Sequence, residues 1–86
     1  AVSCYFELEF SPETFAQAAS LLKENETVTQ IYRVTGKNKL HVHAVAASSE
    51  EMERLIREVI DPLPGMTECS CNMILSRIKD IKGLRL

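Results

Sequence analysis

Residues 2–10, VSCYFELEF, alternate without a break: Val2, Cys4, Phe6, Leu8 and Phe10 fall on one side, and Ser3, Tyr5, Glu7 and Glu9 on the other. A period of two fits a strand with one buried and one wet face, and it fits no helix, whose faces repeat every 3.6 residues. A half-buried strand is not stable alone. It needs neighbouring strands and a cover for its apolar side, and the rest of the chain has to supply both.

The first cover follows directly. Ser11 and Pro12 read as a helix start, a side-chain cap followed by the ring that suits the first helical position. Phe15, Ala18, Ala19 and Leu22 then fall at i, i+3, i+4 and i+7, a stripe that ends in the polar KENET. Residues 28–35, VTQIYRVT, are rich in β-branched and aromatic side chains, and residues 39–47 resume the alternation after Gly36, so a hairpin across GKN is expected. Ser48 and Glu51 make a capping box, and Met52, Leu55, Ile56 and Val59 repeat the helical stripe. Glu50 with Arg54 and Glu53 with Arg57 stand at i, i+4, where ion pairs are worth a few tenths of a kcal/mol. DPLPG at 61–65 stops the helix, and strand character returns over 66–77.

The order is β-α-β followed by β-α-β. Two such halves predict an α+β fold of the ferredoxin-like βαββαβ type, a four-stranded antiparallel sheet with both helices on one face. Residues 1–77 form that domain and residues 78–86 a tail. The uncovered face carries Tyr5, Tyr32, Val45 and part of the last strand, too much apolar area to leave wet, so a face-to-face dimer closing an α+β barrel is expected. Size points the same way: a chain of 86 residues buries only about 60% of its unfolded surface, and association is the usual supplement.

Composition excludes some function classes. A net charge of −2 gives no electrostatic reason for nucleic-acid binding by this segment. The exception is the end of the chain, where Arg77, Lys79, Lys82 and Arg85 oppose Asp80 alone, a run that reads as a solvated tail. No apolar run approaches the roughly 18 residues that span a bilayer, and the start lacks the layout of a signal peptide, so no membrane association is expected. Cys4, Cys69 and Cys71 are odd in number and not spaced as a disulfide framework, which fits a reducing, cytoplasmic compartment. Because Ala1 already lies inside a strand pattern, a processed protein or a domain of a longer one is expected.

Two constellations carry potential chemistry. His41 and His43 share a face of one strand, and Cys69 and Cys71 share a face of another, so four zinc ligands could be read. In this topology the first strand separates those two strands, which puts the pairs roughly 9.5 Å apart, whereas zinc needs every ligand atom within about 2.3 Å. No metal is expected. A histidine has the right pKa for acid–base work, but no dyad partner, nucleophile elbow, phosphate loop or aromatic RNA-binding signature accompanies it. The cysteines read as small hydrophobes, and a bond between residues two apart on a strand would be strained. No catalytic residue and no cofactor are implied.

The runs IYRVTGKNKLHVHAV, EEMERLIREVIDPLPGM and CSCNMILSRIK resemble, in order and spacing, the effector-binding domain of the Lrp/AsnC family. These are the feast/famine transcription regulators, and the domain is also called the regulation-of-amino-acid-metabolism (RAM) module. The resemblance covers essentially the whole chain. It implies a ferredoxin-like module that dimerises through its sheets, assembles further into tetramers or octamers, and binds a small effector, usually an amino acid, near the β2–β3 turn and the start of the last strand. Carried over by position, the effector-binding residues are Thr35, Gly36, Lys37, Asn38 and Lys39 in the turn, with Cys69 and Cys71 on the last strand. Glycine lets a backbone approach a ligand, and free turn amides hold a carboxylate. Two departures stand out. Asn38 and Lys39 occupy positions where the family often carries an aromatic and an aspartate, which leaves the turn without an acidic partner for an amino group. Cys69 and Cys71 replace a common Thr-x-Thr with weaker hydrogen-bonding groups.

The function expected is therefore amino-acid sensing and oligomerisation within an Lrp/AsnC-type transcriptional regulator, whose helix-turn-helix DNA reader is not in this chain. Two alternatives remain open: a stand-alone amino-acid-binding module of the same family, and a small dimeric-barrel enzyme using His41 or His43.

Overall fold

The computed structural model describes residues 1–76, 78 and 79. The alternating run forms strand β1 (Val2–Phe10), followed by helix α1 (Phe15–Lys23), β2 (Val28–Val34), β3 (Lys39–Ala46), α2 (Ser49–Leu55), a π-helical turn (Ile56–Ile60) and β4 (Met66–Met73). The strands lie in the order β2-β3-β1-β4, and every pairing is antiparallel. This is the ferredoxin-like α+β fold that the pattern predicts. β1 is central, which explains its strict alternation: it has a neighbour on each edge and a helix layer over one face.

Cys4, Phe6, Leu8 and Phe10 of β1 pack with Leu40, Val42, Ala44 and Ala46 of β3, and the cover is Ala18 and Leu22 of α1 with Met52, Leu55 and Ile60 from the second helical segment. On the rim of that layer the Arg33 guanidinium sits 4.9 Å from the centre of the Phe15 ring, a cation–π contact that lets a charged residue occupy the helix side of β2.

The start of α1 differs from expectation. Ser11 does not cap it and Pro12 does not open it; Thr14 is the N-cap residue, with no side-chain cap bond, and the first helical residue is Phe15. Ser11 is engaged elsewhere. Its backbone N–H donates to the Gly65 carbonyl at 2.8 Å, and its hydroxyl lies 2.9 Å from the Thr14 hydroxyl. With its hydroxyl on Thr14 and its N–H on a residue far along the chain, Ser11 lies outside the helix.

In α2 the capping box forms, with Glu51 N–H donating to the Ser48 hydroxyl at 3.2 Å. The Glu51 carboxylate accepts from Ala47 N–H at 3.3 Å, one residue before the usual site. The two i, i+4 ion pairs do not form among the described residues; Arg57 stands 3.9 Å from Glu58 instead. The π turn explains part of this. The Asp61 N–H donates to the Ile56 carbonyl at 2.8 Å, an i→i+5 bond that widens the last turn. Widening rotates Ile60 into the core, where it is fully buried, while Ile56 and Val59 pack only partly against it.

β4 ends at Met73 rather than 77. It is an edge strand, and α1 packs over β2 while α2 packs over β3. Consequently Cys69, Cys71 and Met73, which register opposite Leu8, Phe6 and Cys4 on the helix side, remain exposed. The open face carries Tyr5, His41, His43, Tyr32, Val34 and Val45, and from β4 it receives Glu68, Ser70 and Asn72. The last strand therefore adds polar groups to that face, not the apolar area expected. Most of the basic tail lies outside the described residues.

Candidate functional site

Register at one end of the sheet assembles a charged cluster. Lys39 opens β3 and pairs with Glu9 of β1; Glu9 pairs on its other side with Glu68 at the start of β4. Beside them, Glu7 pairs with Ser70. A cavity of about 410 Å³ is lined there by Glu7, Leu8, Glu9, Lys39, Glu68, Cys69 and Ser70. The shift in register between Glu9 and Phe10, where β4 advances two residues for one of β1, is a bulge at the rim of the cavity. Bulges of this kind bend a strand and re-aim its side chains.

The Lys39 ammonium lies 3.9 Å from the Glu9 carboxylate, and its side chain is 44% exposed. An exposed pair of that length contributes about 0–1 kcal/mol, so Lys39 is free to turn to another anion. Glu9 and Glu68 face each other directly, and like charges so placed repel. Three carboxylates against one ammonium attract a cationic group, while Lys39 receives an anionic one. The cavity therefore suits a small zwitterion carrying both a carboxylate and an amino group. A second cavity, about 310 Å³ and lined partly by Leu21, Glu24, Glu58 and Leu63, offers carboxylates and no cation, and a carboxylate ligand would be repelled there.

Of the residues expected at the site, Lys39 and Cys69 line this cavity. Thr35, Gly36, Lys37 and Asn38 form the connection from β2 to β3 and are not among its lining residues; neither is Cys71. The turn is nonetheless tied to the same corner, because the Phe10 N–H donates to the Asn38 carbonyl at 3.1 Å. Gly36 has φ +125° and Asn38 φ +51°, the latter in the left-handed region that asparagine tolerates. Glu9 and Glu68 place carboxylates in this cavity, whereas the turn itself carries none. Alternation alone places Glu7 and Glu9 on the wet face, but nothing local brings Glu68 to them.

The cysteines and histidines lie on opposite faces of the sheet. Cys69 and Cys71 are on the helix side, and His41 and His43 are on the open side beside Tyr5, which rules out the four-ligand zinc site more firmly than strand spacing does. Among the described residues, no group of three or more His, Cys, Asp or Glu is arranged to hold a metal ion. Desolvation pushes the Cys69 and Cys71 thiols up, and neighbouring thiols add to the effect. Burial raises Cys4 as well, offset in part by a hydrogen bond with the free Cys71 thiol. On the open side, His41 Nε2 and His43 Nε2 are 2.9 Å apart, and Glu7 Oε1 is 3.7 Å from His41 Nδ1. Desolvation lowers the His43 pKa, and the charge of His41 lowers it further.

The sequence model of the Lrp/AsnC ligand binding domain matches residues 3–84. No curated protein sequence is significantly similar to the chain. Among solved structures, AsnC of E. coli superposes with a TM-score of 0.81 at 16% identity, covering 93% of this chain and 54% of that one. A transcriptional regulator from Neisseria meningitidis, solved as a complex with L-Met, gives 0.82 at 11% identity, covering 99% of this chain and 56% of that one. A protein from Thermus thermophilus gives 0.82 at 15% identity, covering 93% of this chain and 100% of its own. At these identities the likeness establishes the fold. No described helix is long and apolar enough to cross a membrane.

Proposed function

Because the chain belongs to the Lrp/AsnC ligand-binding domain family, we propose that it is the amino-acid-sensing and assembly domain of a cytoplasmic transcription regulator whose DNA-reading helix-turn-helix lies outside this chain. The family is one of regulators with a ligand-binding domain, which points away from enzymatic activity. The observation that carries the reading is the meeting of Lys39, Glu9 and Glu68 at one cavity. Lys39 leaves its long pair with Glu9 to take the effector carboxylate, and Glu9 and Glu68, relieved of their mutual repulsion, take the ammonium. The β2–β3 turn around Gly36, tethered at Asn38, closes over the ligand. The L-Met complex of the Neisseria meningitidis regulator supports an amino acid as the ligand class.

The open sheet face pairs with the same face of a second copy. Tyr32, Val34 and Val45 are all exposed there, and burying a side chain of this size is worth about 1.5–3 kcal/mol. Dimers assemble into tetramers or octamers, and the effector favours one assembly over another. Coupling of this kind is worth typically about 1–3 kcal/mol.

Native mass spectrometry of the chain, alone and with the standard amino acids, tests this. The expected result is an even-numbered oligomer retaining one amino acid per subunit, with retention lost in Lys39→Met and Glu68→Gln. A monomer, or even-numbered oligomers indifferent to every amino acid, overturns the assembly or the sensing part respectively.

A further inference from the structure

We propose that the row Glu7, His41 and His43 makes the face-to-face dimer sensitive to acid: the closed dimer keeps His43 neutral, and a proton on His43 opens the interface. The inference rests on the assembly proposed above and concerns its regulation. β1 and β3 are the two central strands of the sheet, and their open side brings the row together. Tyr5 registers opposite His43 and Glu7 opposite His41, while Gln30 and Tyr32 of β2 register opposite the same two histidines from the other side. Two imidazoles therefore stand in the middle of the face that a second copy covers.

Their Nε2 atoms are 2.9 Å apart, a hydrogen bond in which one ring must donate and the other accept. Glu7 sets the direction. Its carboxylate stands 3.7 Å from His41 Nδ1, beyond a hydrogen bond but close enough to favour a proton on that nitrogen. One added proton thus sits on His41, countered by Glu7, and the His41 Nε2–H still donates to His43. A second proton has to take the His43 Nε2 lone pair that accepts this bond. Two N–H groups then face each other, and the new charge has no carboxylate beside it: the ring centres nearest to His43 on the adjoining strands are those of Tyr5 at 6.0 Å and Tyr32 at 6.4 Å. In the single chain His43 is half-buried, and water reaches the charged ring. Under a second copy that water is gone, and a buried charge without a partner is costly. Desolvation and the charge of His41 already lower the His43 pKa in the single chain, and closure strengthens the first of these effects.

The other charged groups on this face are Lys39, Glu9 and Glu68 at its end. The carboxylates answer acid in the opposite sense, because a proton removes their charge and relieves the repulsion between Glu9 and Glu68. The sign of the pH dependence therefore identifies the group responsible. Sedimentation equilibrium of the chain between about pH 8 and 5, the range in which histidine titrates, tests the proposal, with circular dichroism at each pH to show that the fold persists. Below the His43 pKa of the single chain, each copy loses about tenfold in competent population per pH unit, so the dimer dissociation constant rises by about 100-fold per pH unit. His43→Gln is expected to dimerise with a constant that stays level over the same range. Because the sequence holds two histidines, the His43 Hε1 resonance is readily followed, and it is expected to titrate at lower pH in the dimer than in diluted monomer. A monomer at every pH overturns the assembly, and the switch with it. A dimer whose constant stays level or tightens as pH falls, or a His43→Gln dimer that keeps the full pH dependence, overturns the switch and leaves the assembly standing.

Discussion

Replacing Gly65 by alanine should destabilise this domain by about 2–3 kcal/mol, through two separable costs. Gly65 has φ +68°, and a Cβ built on it overlaps the Thr14 hydroxyl and comes within 2.5 Å of Ser11 Oγ. The left-handed backbone costs an L-residue roughly 1–2 kcal/mol. Making room for the methyl group separates the two hydroxyls, now 2.9 Å apart, and losing such a hydrogen bond costs about 1 kcal/mol. For a domain of this size each kcal/mol lowers Tm by about 4–8 °C, so thermal unfolding followed by far-UV circular dichroism should shift down by about 10–20 °C. In a Thr14→Ala background the hydroxyl pair is already gone, although Ser11 Oγ and the Cβ at position 14 still crowd the methyl group, so the same substitution should cost less by about the hydrogen-bond share, a coupling of about 1 kcal/mol. A shift below about 4 °C, or equal costs in the two backgrounds, refutes the reasoning. The position also bears on the site: the Gly65 carbonyl accepts the Ser11 N–H one residue before β4, which anchors the start of the strand that carries Glu68.

Further outcomes are expected. Gly36→Val, which puts a β-branched side chain at φ +125° beside Lys39, should abolish effector binding while self-association survives; unchanged affinity by calorimetry would remove the turn from the site. The depressed His43 pKa makes the native state resist a proton that the unfolded chain accepts below its ordinary value of 6.5. Stability is therefore greatest above that pH and falls as pH drops through the lower native pKa, and urea midpoints should show a smaller fall in His43→Gln. All three thiols are raised above their ordinary pKa, so Cys69 and Cys71, although exposed, should alkylate more slowly at pH 7.5 than a free thiol. Buried Cys4 should alkylate only at the rate of unfolding; mass spectrometry after timed iodoacetamide quenching checks both. Ile60→Ala, which empties the position that the π turn rotates inward, should cost about 2–5 kcal/mol, and a loss under about 1 kcal/mol would show that the turn collapses to fill the gap.

What was legible in the sequence is what depends on near neighbours. The alternation of β1, the stripe of α1, the Ser48–Glu51 box and the strand–glycine–strand pattern around Gly36 each follow from residues within a few positions of one another, and together they lead to the ferredoxin-like order. Lys39 lines the charged cavity because it opens β3 at the end of the sheet where the turn lies, whereas Cys69 lines it because the β1–β4 register sets it opposite Leu8. The rest was settled by contacts between distant segments. Glu9 meets Glu68 only because β1 pairs with β4 in one register, and a slip of a single residue would turn β4 over and send that carboxylate to the helix side. The same register takes Cys69 and Cys71 away from the histidines. Ser11 is tied by its N–H to Gly65, far along the chain, and by its hydroxyl to Thr14, and the π turn over Ile56–Ile60 leaves Ile60 fully buried while Ile56 and Val59 pack only partly. Periodicity says which side of an element is apolar; which element lies next to it, and in what register, is decided by packing the whole sheet at once.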